Sequence, residues 1–249
     1  MGRRLVALAS ADPSLTLVAA VDSLEHPSQG EDAGVLAGIG ATGIALSASL
    51  AVTPDVVIDF SVPQALDSIL GVCSERKIPL VVATTGLIAS QTAGLRQASA
   101  TIPLLWSPNM SLAVNLTMKL AEVAAKALCD KDADVEILER HHRYKEDSPS
   151  GTALKFGQLI AAAMGQTAHR HGREGRPGAR PHSEIGYHAV RTGDNPGEHT
   201  ILFGILGETI ELTVRATNRD CYALGALAGA KFLAGRPPGL YGMNDVLGL

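Results

Sequence analysis

Aromatic residues and basic charge are both scarce in this chain, and both shortages bear on its partners. Aromatic side chains make up 4% of the 249 residues, and the formal net charge is -4 at pH 7. Proteins that bind nucleic acid usually carry a basic patch and aromatic side chains on which bases stack. The composition therefore predicts no nucleic-acid partner.

Cysteine and long apolar runs are scarce as well. Cys73, Cys129 and Cys221 lie far apart and are odd in number, which favours reduced thiols over a disulfide framework. The apolar run after Arg3 and Arg4 is too short for a signal peptide, and no other run is long enough to span a bilayer. We therefore expect a cytoplasmic protein with no membrane partner.

Short apolar runs alternate with helical segments through the first half of the chain. The predicted elements are a helix over 1–11, strands over 15–21 and 56–60, a helix over 61–76, a strand over 79–83, a helix over 90–98 and a strand over 103–106. The part 26–43 is predicted as a loop. This alternation favours an α/β fold with a parallel sheet covered on both faces.

The second half begins with a long helix over 111–129. A strand over 135–138, a helix over 153–164, strands over 184–191, 199–205 and 209–216, a helix over 222–233 and a tail follow. The part 165–182 lacks a period and is predicted to be a mobile loop, in which His169, His171 and His182 are solvated.

The segment 139–152 is the most distinctive part of the sequence. Five cationic or titratable side chains fall within six positions: Arg140, His141, His142, Arg143 and Lys145. They follow a predicted strand, and a Ser-Pro-Ser-Gly-Thr turn then opens a predicted helix, whose first N–H groups attract anions. The combination suits a small polycarboxylate that must also receive a proton.

Two plainer interpretations of this segment stay open at the level of the sequence. Charge-rich loops are usually solvated surfaces, although the Ser-Gly-Thr turn, with a glycine that permits close backbone approach, argues against this. A metal site is disfavoured, because His141 and His142 point to opposite sides of an extended chain and no third ligand lies nearby at suitable spacing. We therefore predict no metal.

The spacing from His141 and His142 through Lys145 and Asp147 to Pro149-Ser150-Gly151-Thr152-Ala153 resembles the signature of the dihydrodipicolinate (4-hydroxy-tetrahydrodipicolinate) reductase family of lysine and diaminopimelate biosynthesis. The likeness extends over nearly the whole chain. It implies a Rossmann-like dinucleotide-binding domain over 1–111 and 219–249. It also implies an α+β substrate-binding and oligomerisation domain with a mixed sheet over 112–218, and a homotetramer to which the connection 191–199 contributes.

The resemblance also implies roles for the residues of the central segment. His141 is then a proton donor or acceptor, and Lys145 a proton donor. His142 and the backbone of Gly151 and Thr152 bind the carboxylates of the substrate. Whether His141 or Lys145 supplies the critical proton stays open.

Three strand ends in the first half are candidate cofactor contacts. Asp22 stands where dinucleotide folds hold the adenosine ribose hydroxyls. The other two resemble family segments that line the nicotinamide, and their residues are Ala83, Thr84 and Thr85, then Ser107, Pro108, Asn109 and Met110. Ala83 departs from the usual glycine and Met110 from a frequent phenylalanine, and small residues after strands can also be simple turns.

The choice between the two nicotinamide cofactors rests on Asp22. A carboxylate at this position repels the 2′-phosphate of NADPH, and Ser23 rather than an arginine follows it, so NADH is favoured. Arg3 is a possible compensating cation, which keeps NADPH open.

The chain contains no glycine-rich turn of the Gly-x-Gly-x-x-Gly type, although dinucleotide folds open with a strand and such a turn. In the family this turn ends Gly-Arg-Met-Gly-Arg, and the present chain starts Met1-Gly2-Arg3. Met1 is thus interpreted as an internal, cofactor-contacting methionine of the motif, with the first strand upstream. We expect the chain as written to fold less stably and to bind dinucleotide more weakly than an extended one.

The resulting prediction is an NAD(P)H-dependent reduction of 4-hydroxy-tetrahydrodipicolinate to tetrahydrodipicolinate. Two alternatives stay open. One is a different dehydrogenase of amino-acid metabolism on the same fold, and the other is a catalytically impaired remnant that binds only dicarboxylate.

Overall fold

The computed structural model describes residues 1–249 and divides into two compact units, Met1–Leu112 with Asp220–Leu249, and Ala113–Arg219. The helices are α1 (Gly2–Ala11), α2 (Ala33–Ala37), α3 (Pro63–Arg76), α4 (Ala89–Ala98), α5 (Leu112–Leu128), α6 (Gly151–Met164), α7 (Asp220–Leu233) and α8 (Met243–Leu247). The strands are β1 (Ala20–Val21), β2 (Leu46–Ser47), β3 (Val57–Asp59), β4 (Leu80–Val82), β5 (Pro103–Trp106), β6 (Asp134–His141), β7 (Ala168–His171), β8 (Glu184–Arg191), β9 (Glu198–Ile205), β10 (Glu208–Arg215) and β11 (Gly239–Tyr241). None of these helices has the length and apolar character needed to cross a membrane.

The first unit is built on a parallel sheet in the order β11-β5-β4-β3. Successive residues of a strand point to opposite faces, and β4 shows this clearly. Leu80 and Val82 pack into the cluster formed with α3 and α4, whereas Val81 packs into the cluster formed with α7. Because both faces of β4 are buried, the predicted parallel sheet with two covered faces is confirmed.

Two predictions for the first unit are wrong, and one segment gains elements that were not predicted. The strand expected over 15–21 contains only Ala20 and Val21, which pair with the short β2 and form a separate two-stranded sheet; Val21 is 49% exposed. The loop expected over 26–43 contains α2, because the Asp32 carboxylate caps it by accepting N–H bonds from Gly34 and Val35. The tail, for which no element was predicted, contains β11 and α8, and β11 extends the main sheet beside β5.

The second unit contains a five-stranded mixed sheet in the order β10-β9-β6-β8-β7. The pairs β10-β9 and β9-β6 are antiparallel, whereas β6-β8 and β8-β7 are parallel, so the predicted mixed sheet is confirmed. Helices α5 and α6 contribute to one apolar core with the inward residues of β6, β8 and β9. Strand β6 lies in the centre of the sheet, between β8 and β9, and both of these strands begin more than forty residues after β6 ends.

Two predictions for the second unit are corrected by this sheet. Strand β6 continues to His141, past the predicted end at residue 138, so the charged segment begins inside the sheet. The loop expected over 165–182 contains β7, and the rings of His169 and His171 stack on Tyr187 at centroid distances of 5.7 and 5.1 Å. Although β7 is exposed, these two imidazoles are therefore packed against a buried side chain, not simply solvated.

Helix α7 approaches the segment after β5 so closely that only glycine fits at position 225. A Cβ there would lie 1.7 Å from the backbone oxygen of Met110. We expect Gly225→Ala to lower the free energy of unfolding by about 3 kcal/mol or more, because a backbone atom must move. Gly71→Ala, also within a helix, meets nothing within 4 Å and should raise stability by about 0.5–1 kcal/mol. Urea unfolding of both variants tests this, and equal stabilities would contradict it.

Candidate active site

The polar site of the second unit begins with the alternation of β6. Val135 and Ile137 are fully buried in the core, and the next two residues on that face are Glu139 and His141, which are 1% and 7% exposed. The strand thus places a carboxylate and an imidazole at the end of an otherwise apolar row. Two buried polar groups in this position require partners.

Glu139 has partners for both of its carboxylate oxygens. Its Oε2 lies 2.6 Å from His141 Nδ1 and accepts from Arg191 Nη1 at 2.7 Å, and its Oε1 accepts from Arg191 Nη2 at 2.8 Å and from the N–H of Ser150 at 3.0 Å. Burial alone would raise the pKa of Glu139, but the bonds from His141 and Arg191 outweigh it and lower the pKa to about 2. The carboxylate is therefore ionised at neutral pH.

A second buried imidazole, that of His199 on β9, lies against the first. The His141 and His199 rings meet edge to face at 5.3 Å between centroids. His199 Nε2 is 3.0 Å from Ser150 Oγ, which also accepts the N–H of Ala153 and so caps α6. Burial, assisted by the nearby His141, lowers the pKa of His199 to about 4, so this imidazole is neutral at pH 7.

Gly197, the residue before β9, lies beside the imidazole of His141. Its backbone has φ +150, and a Cβ built on it would stand 3.0 Å from His141 Nε2. Any side chain at this position would crowd the nitrogen that does not face Glu139. The glycine therefore leaves room beside Nε2.

The remaining predicted substrate residues lie between the end of β6 and the first turn of α6. Lys145 Nζ is 2.8 Å from Asp147 Oδ1, and this hydrogen bond is the main reason why the pKa of Asp147 is lowered. Backbone N–H groups, among them that of Gly151, lower the pKa of Asp147 further. A carboxylate of the protein itself thus lies at the start of α6, where Gly151 and Thr152 form the first helical residues. His142 Nδ1 is buried without a hydrogen-bond partner.

The structure therefore brings His141 and the first turn of α6 together through Glu139, Ser150 and His199. Sequence reasoning missed Glu139, Arg191 and His199 as members of the site. Glu139 had a usable signal, since an acidic residue continues the apolar row of β6. No group of three or more histidine, cysteine, aspartate or glutamate residues is arranged to hold a metal ion.

The predicted cofactor residues all belong to the first unit. Thr84 and Ser107 follow β4 and β5 at one edge of the sheet, where Thr84 Oγ1 donates to Asp59 Oδ2 at 2.7 Å and Ser107 Oγ donates to the backbone oxygen of Asn109 at 2.7 Å. Thr85 and Pro108 are exposed beside them. Ligands of parallel sheets bind at this edge, beyond the carboxyl ends of the strands.

Ala83 and Met110 lie deeper than the other predicted cofactor residues. Both side chains are buried in the core beside α7, at 7% and 1% exposure, so a cofactor contact at either would be made by backbone atoms. Asp22 is exposed after β1, in the separate two-stranded sheet, and one of its carboxylate oxygens accepts the N–H of Ser23 at 2.8 Å. Met1 precedes α1, whose first turn contains no acidic residue.

Comparison with protein-family models decides the classification. Residues 1–110 match the model described as dihydrodipicolinate reductase, N-terminus, and residues 113–247 match the model of its C-terminus. The chain belongs to the dihydrodipicolinate reductase family. The resemblance inferred from the His141–Thr152 segment is thereby confirmed.

Curated members of the family are similar over the whole chain. A 4-hydroxy-tetrahydrodipicolinate reductase of Rhodopirellula baltica is 57% identical, with 100% of this chain and 92% of the relative covered. One of Alkalilimnicola ehrlichii is 48% identical, with 100% and 95% covered. Family membership therefore rests on both domains together.

Solved structures extend the comparison to the fold. A dipicolinate-bound dihydrodipicolinate reductase from Paenisporosarcina sp. TG-14 superimposes with a TM-score of 0.78 at 24% identity, covering 98% of this chain and 94% of that one. GenD2 from gentamicin A biosynthesis, in complex with NAD, has a TM-score of 0.59 at 14% identity, with 99% and 87% covered. The fold is thus shared by family members and by a more distant NAD-bound protein.

Proposed function

We propose that the chain catalyses the NAD(P)H-dependent reduction of 4-hydroxy-tetrahydrodipicolinate to tetrahydrodipicolinate in lysine and diaminopimelate biosynthesis. The observation that carries this proposal is the buried Glu139–His141 pair joined to the first turn of α6. It combines a proton-transfer group with an anion-binding helix end, as reduction of a cyclic dicarboxylate requires. The curated relatives that bear this enzyme name support it.

Some residues of the second unit bind the carboxylates of the substrate, and others transfer protons. His142 and the backbone of Gly151 and Thr152 bind the carboxylates, with the charge of Lys145 adding attraction. Loss of the 4-hydroxyl group as water leaves a conjugated C=C–C=N unit in the ring. Addition of hydride to that unit drives electrons toward the ring nitrogen, and the resulting anion takes up one proton, which balances the reaction. His141 is the proton donor or acceptor at its Nε2, and Lys145 is a second proton donor.

The residues of the first unit suit a nicotinamide dinucleotide, which supplies hydride when bound. Asp22 holds the adenosine ribose hydroxyls, and the first turn of α1, after Met1, offers N–H groups and Arg3 to the pyrophosphate. The nicotinamide end is held by two groups of residues that follow β4 and β5: Ala83, Thr84 and Thr85, then Ser107, Pro108, Asn109 and Met110. NADH is preferred to NADPH, because the exposed Asp22 carboxylate repels a 2′-phosphate.

The test is consumption of NADH by the purified chain with the fresh condensation product of pyruvate and aspartate semialdehyde. We expect turnover that depends on this product, and a lower KM for NADH than for NADPH at equal salt. Homoserine and aspartate are already reduced, so they are supplied with NAD⁺, and NADH formation is followed as the control for another amino-acid dehydrogenase. Turnover with either control but not with the condensation product would contradict the proposal, and binding of dipicolinate without turnover would indicate a protein that only binds dicarboxylates.

A homotetramer and a cytoplasmic location complete the proposal. The connection between β8 and β9 resembles one that the family uses in assembly, and the edge strand β10 leaves Ile210 43% exposed. Cys73, Cys129 and Cys221 are all free thiols, which suits a reducing compartment. Sedimentation equilibrium measures the assembly directly, and a monomer at micromolar concentration would contradict the tetramer.

A further inference from the structure

We infer that Glu139 is a positioning residue, which fixes the proton on His141 Nδ1 and ties the imidazole to the first turn of α6. The kinetic part of this inference rests on the proposed function, because His141 is the proton-transfer group there. The structural part stands on the contacts of Glu139 alone.

The first step concerns the tautomer of His141. An ionised carboxylate can only accept hydrogen bonds, so the Nδ1 atom 2.6 Å from Glu139 Oε2 must carry a proton. In the neutral ring, Nε2 then holds the lone pair, and a proton taken up by His141 resides on Nε2. This is the nitrogen beside which Gly197 leaves room.

The second step concerns the orientation of the carboxylate. Arg191 of β8 binds both oxygens, with Nη1 on Oε2 and Nη2 on Oε1, which prevents rotation of the carboxylate plane. The Oε1 atom also accepts the N–H of Ser150, the residue before Gly151. One side chain thus sets the orientation of the imidazole and the position of the proposed carboxylate-binding turn.

A buried carboxylate bound to arginine could instead serve stability alone, and the chain offers a matched control for that alternative. Glu136 lies on the same strand, is partly exposed, and binds two arginines and one histidine where Glu139 binds one of each. Its partners are Arg173 Nη2 at 2.6 Å, Arg180 Nε at 3.0 Å and His188 Nε2 at 2.7 Å. Burial opposes ionisation of Glu136, but Arg173 and its other partners lower the pKa to about 2, as for Glu139. Glu136 makes none of its hydrogen bonds to His141 or Ser150.

The experiment compares Glu139→Gln with Glu136→Gln. In Glu139→Gln the amide oxygen can still accept the N–H of Ser150, but the amide NH₂ cannot accept a proton from His141 Nδ1. We expect kcat to fall by roughly 10²–10⁴-fold, since loss of a carboxylate that fixes a histidine tautomer costs this much in other enzymes, with KM within about threefold. Glu136→Gln should keep kcat within about twofold, whatever its effect on stability. Equal losses of kcat in the two variants would overturn the inference.

A spectroscopic measurement tests the structural part without any assay. In ¹⁵N-histidine-labelled protein at pH 8.5, with His141 identified from the spectrum of His141→Gln, we expect the Nδ1–H tautomer in the wild type. The Glu139→Gln variant should lose this signature, and Glu136→Gln should keep it. An Nε2–H tautomer in the wild type would overturn the inference even if Glu139→Gln did not fold. If the wild type showed the Nδ1–H tautomer but no turnover, the proposed function would fail and the positioning role would stand.

Discussion

Replacing His141 by glutamine should lower kcat by about 10²–10⁴-fold, the range expected when a general acid or base is removed. Glutamine has hydrogen-bonding groups of similar reach but cannot act as a general acid or base at neutral pH. The binding groups of His142 and of the α6 terminus remain, so KM should change by no more than a few-fold. Steady-state NADH consumption at saturating condensation product measures both constants.

His182→Gln is the matched control for this substitution. His182 is exposed, and its Nδ1 pairs with Asp132 at 2.6 Å on the surface of the same unit. We expect its kcat to lie within about twofold of the wild type. A His141→Gln enzyme that turned over within a few-fold of the wild type would contradict the assignment of His141 as the proton-transfer group. Lys145→Gln, assayed alongside, shows which of the two residues supplies the critical proton.

Several strands of both units could be predicted from an apolar run that is bounded by turn residues. The strand predicted over 103–106 has the same ends as β5, because the apolar run begins at Pro103 and ends before Ser107. The run 15–21 is equally apolar in sequence, yet only two of its residues form a ladder. A strand is defined by its partners, and β2, which was not predicted, offers it only Leu46 and Ser47.

The site could be predicted only as far as it is local in sequence. His141, His142 and Lys145 lie in one segment, and their spacing carried the family resemblance. Arg191 and His199 come to His141 because β6 pairs with β8 on one side and with β9 on the other. That sheet order depends on long-range pairing, which no local pattern of residues contains.

Glu139 has a local signal in the sequence. It stands two residues before His141 on a strand whose inward residues are apolar, so its carboxylate points into the core. A buried carboxylate predicts a cationic partner on a neighbouring strand. The identity of that partner, Arg191, again follows only from the sheet order.

The pH dependence of stability offers a test of the buried His199. Its pKa is lowered to about 4 in the folded chain, against an ordinary value of about 6.5 when unfolded. Above pH 6.5 both states hold a neutral imidazole, and stability is at its full value. As the pH falls from 6.5 toward 4, the unfolded chain binds a proton that the folded chain does not, and stability is lost. Glu136 and Glu139, with pKa values of about 2, lose their contributions mainly below about pH 4.5.

Titration of His199 should lower the free energy of unfolding of the wild type by about 2–3 kcal/mol between pH 7.5 and pH 4.5. We expect the His199→Gln variant not to show this decrease. Glutamine offers both a carbonyl that accepts and an amide that donates, so it can keep a hydrogen bond to Ser150 Oγ whichever atom is the donor, and the comparison isolates titration of the imidazole. Urea unfolding at several pH values measures the free energy, and His182→Gln, with its exposed imidazole, should follow the wild-type curve. Parallel curves for His199→Gln and the wild type would show that His199 titrates alike in both states, contrary to its burial against His141 and Phe156.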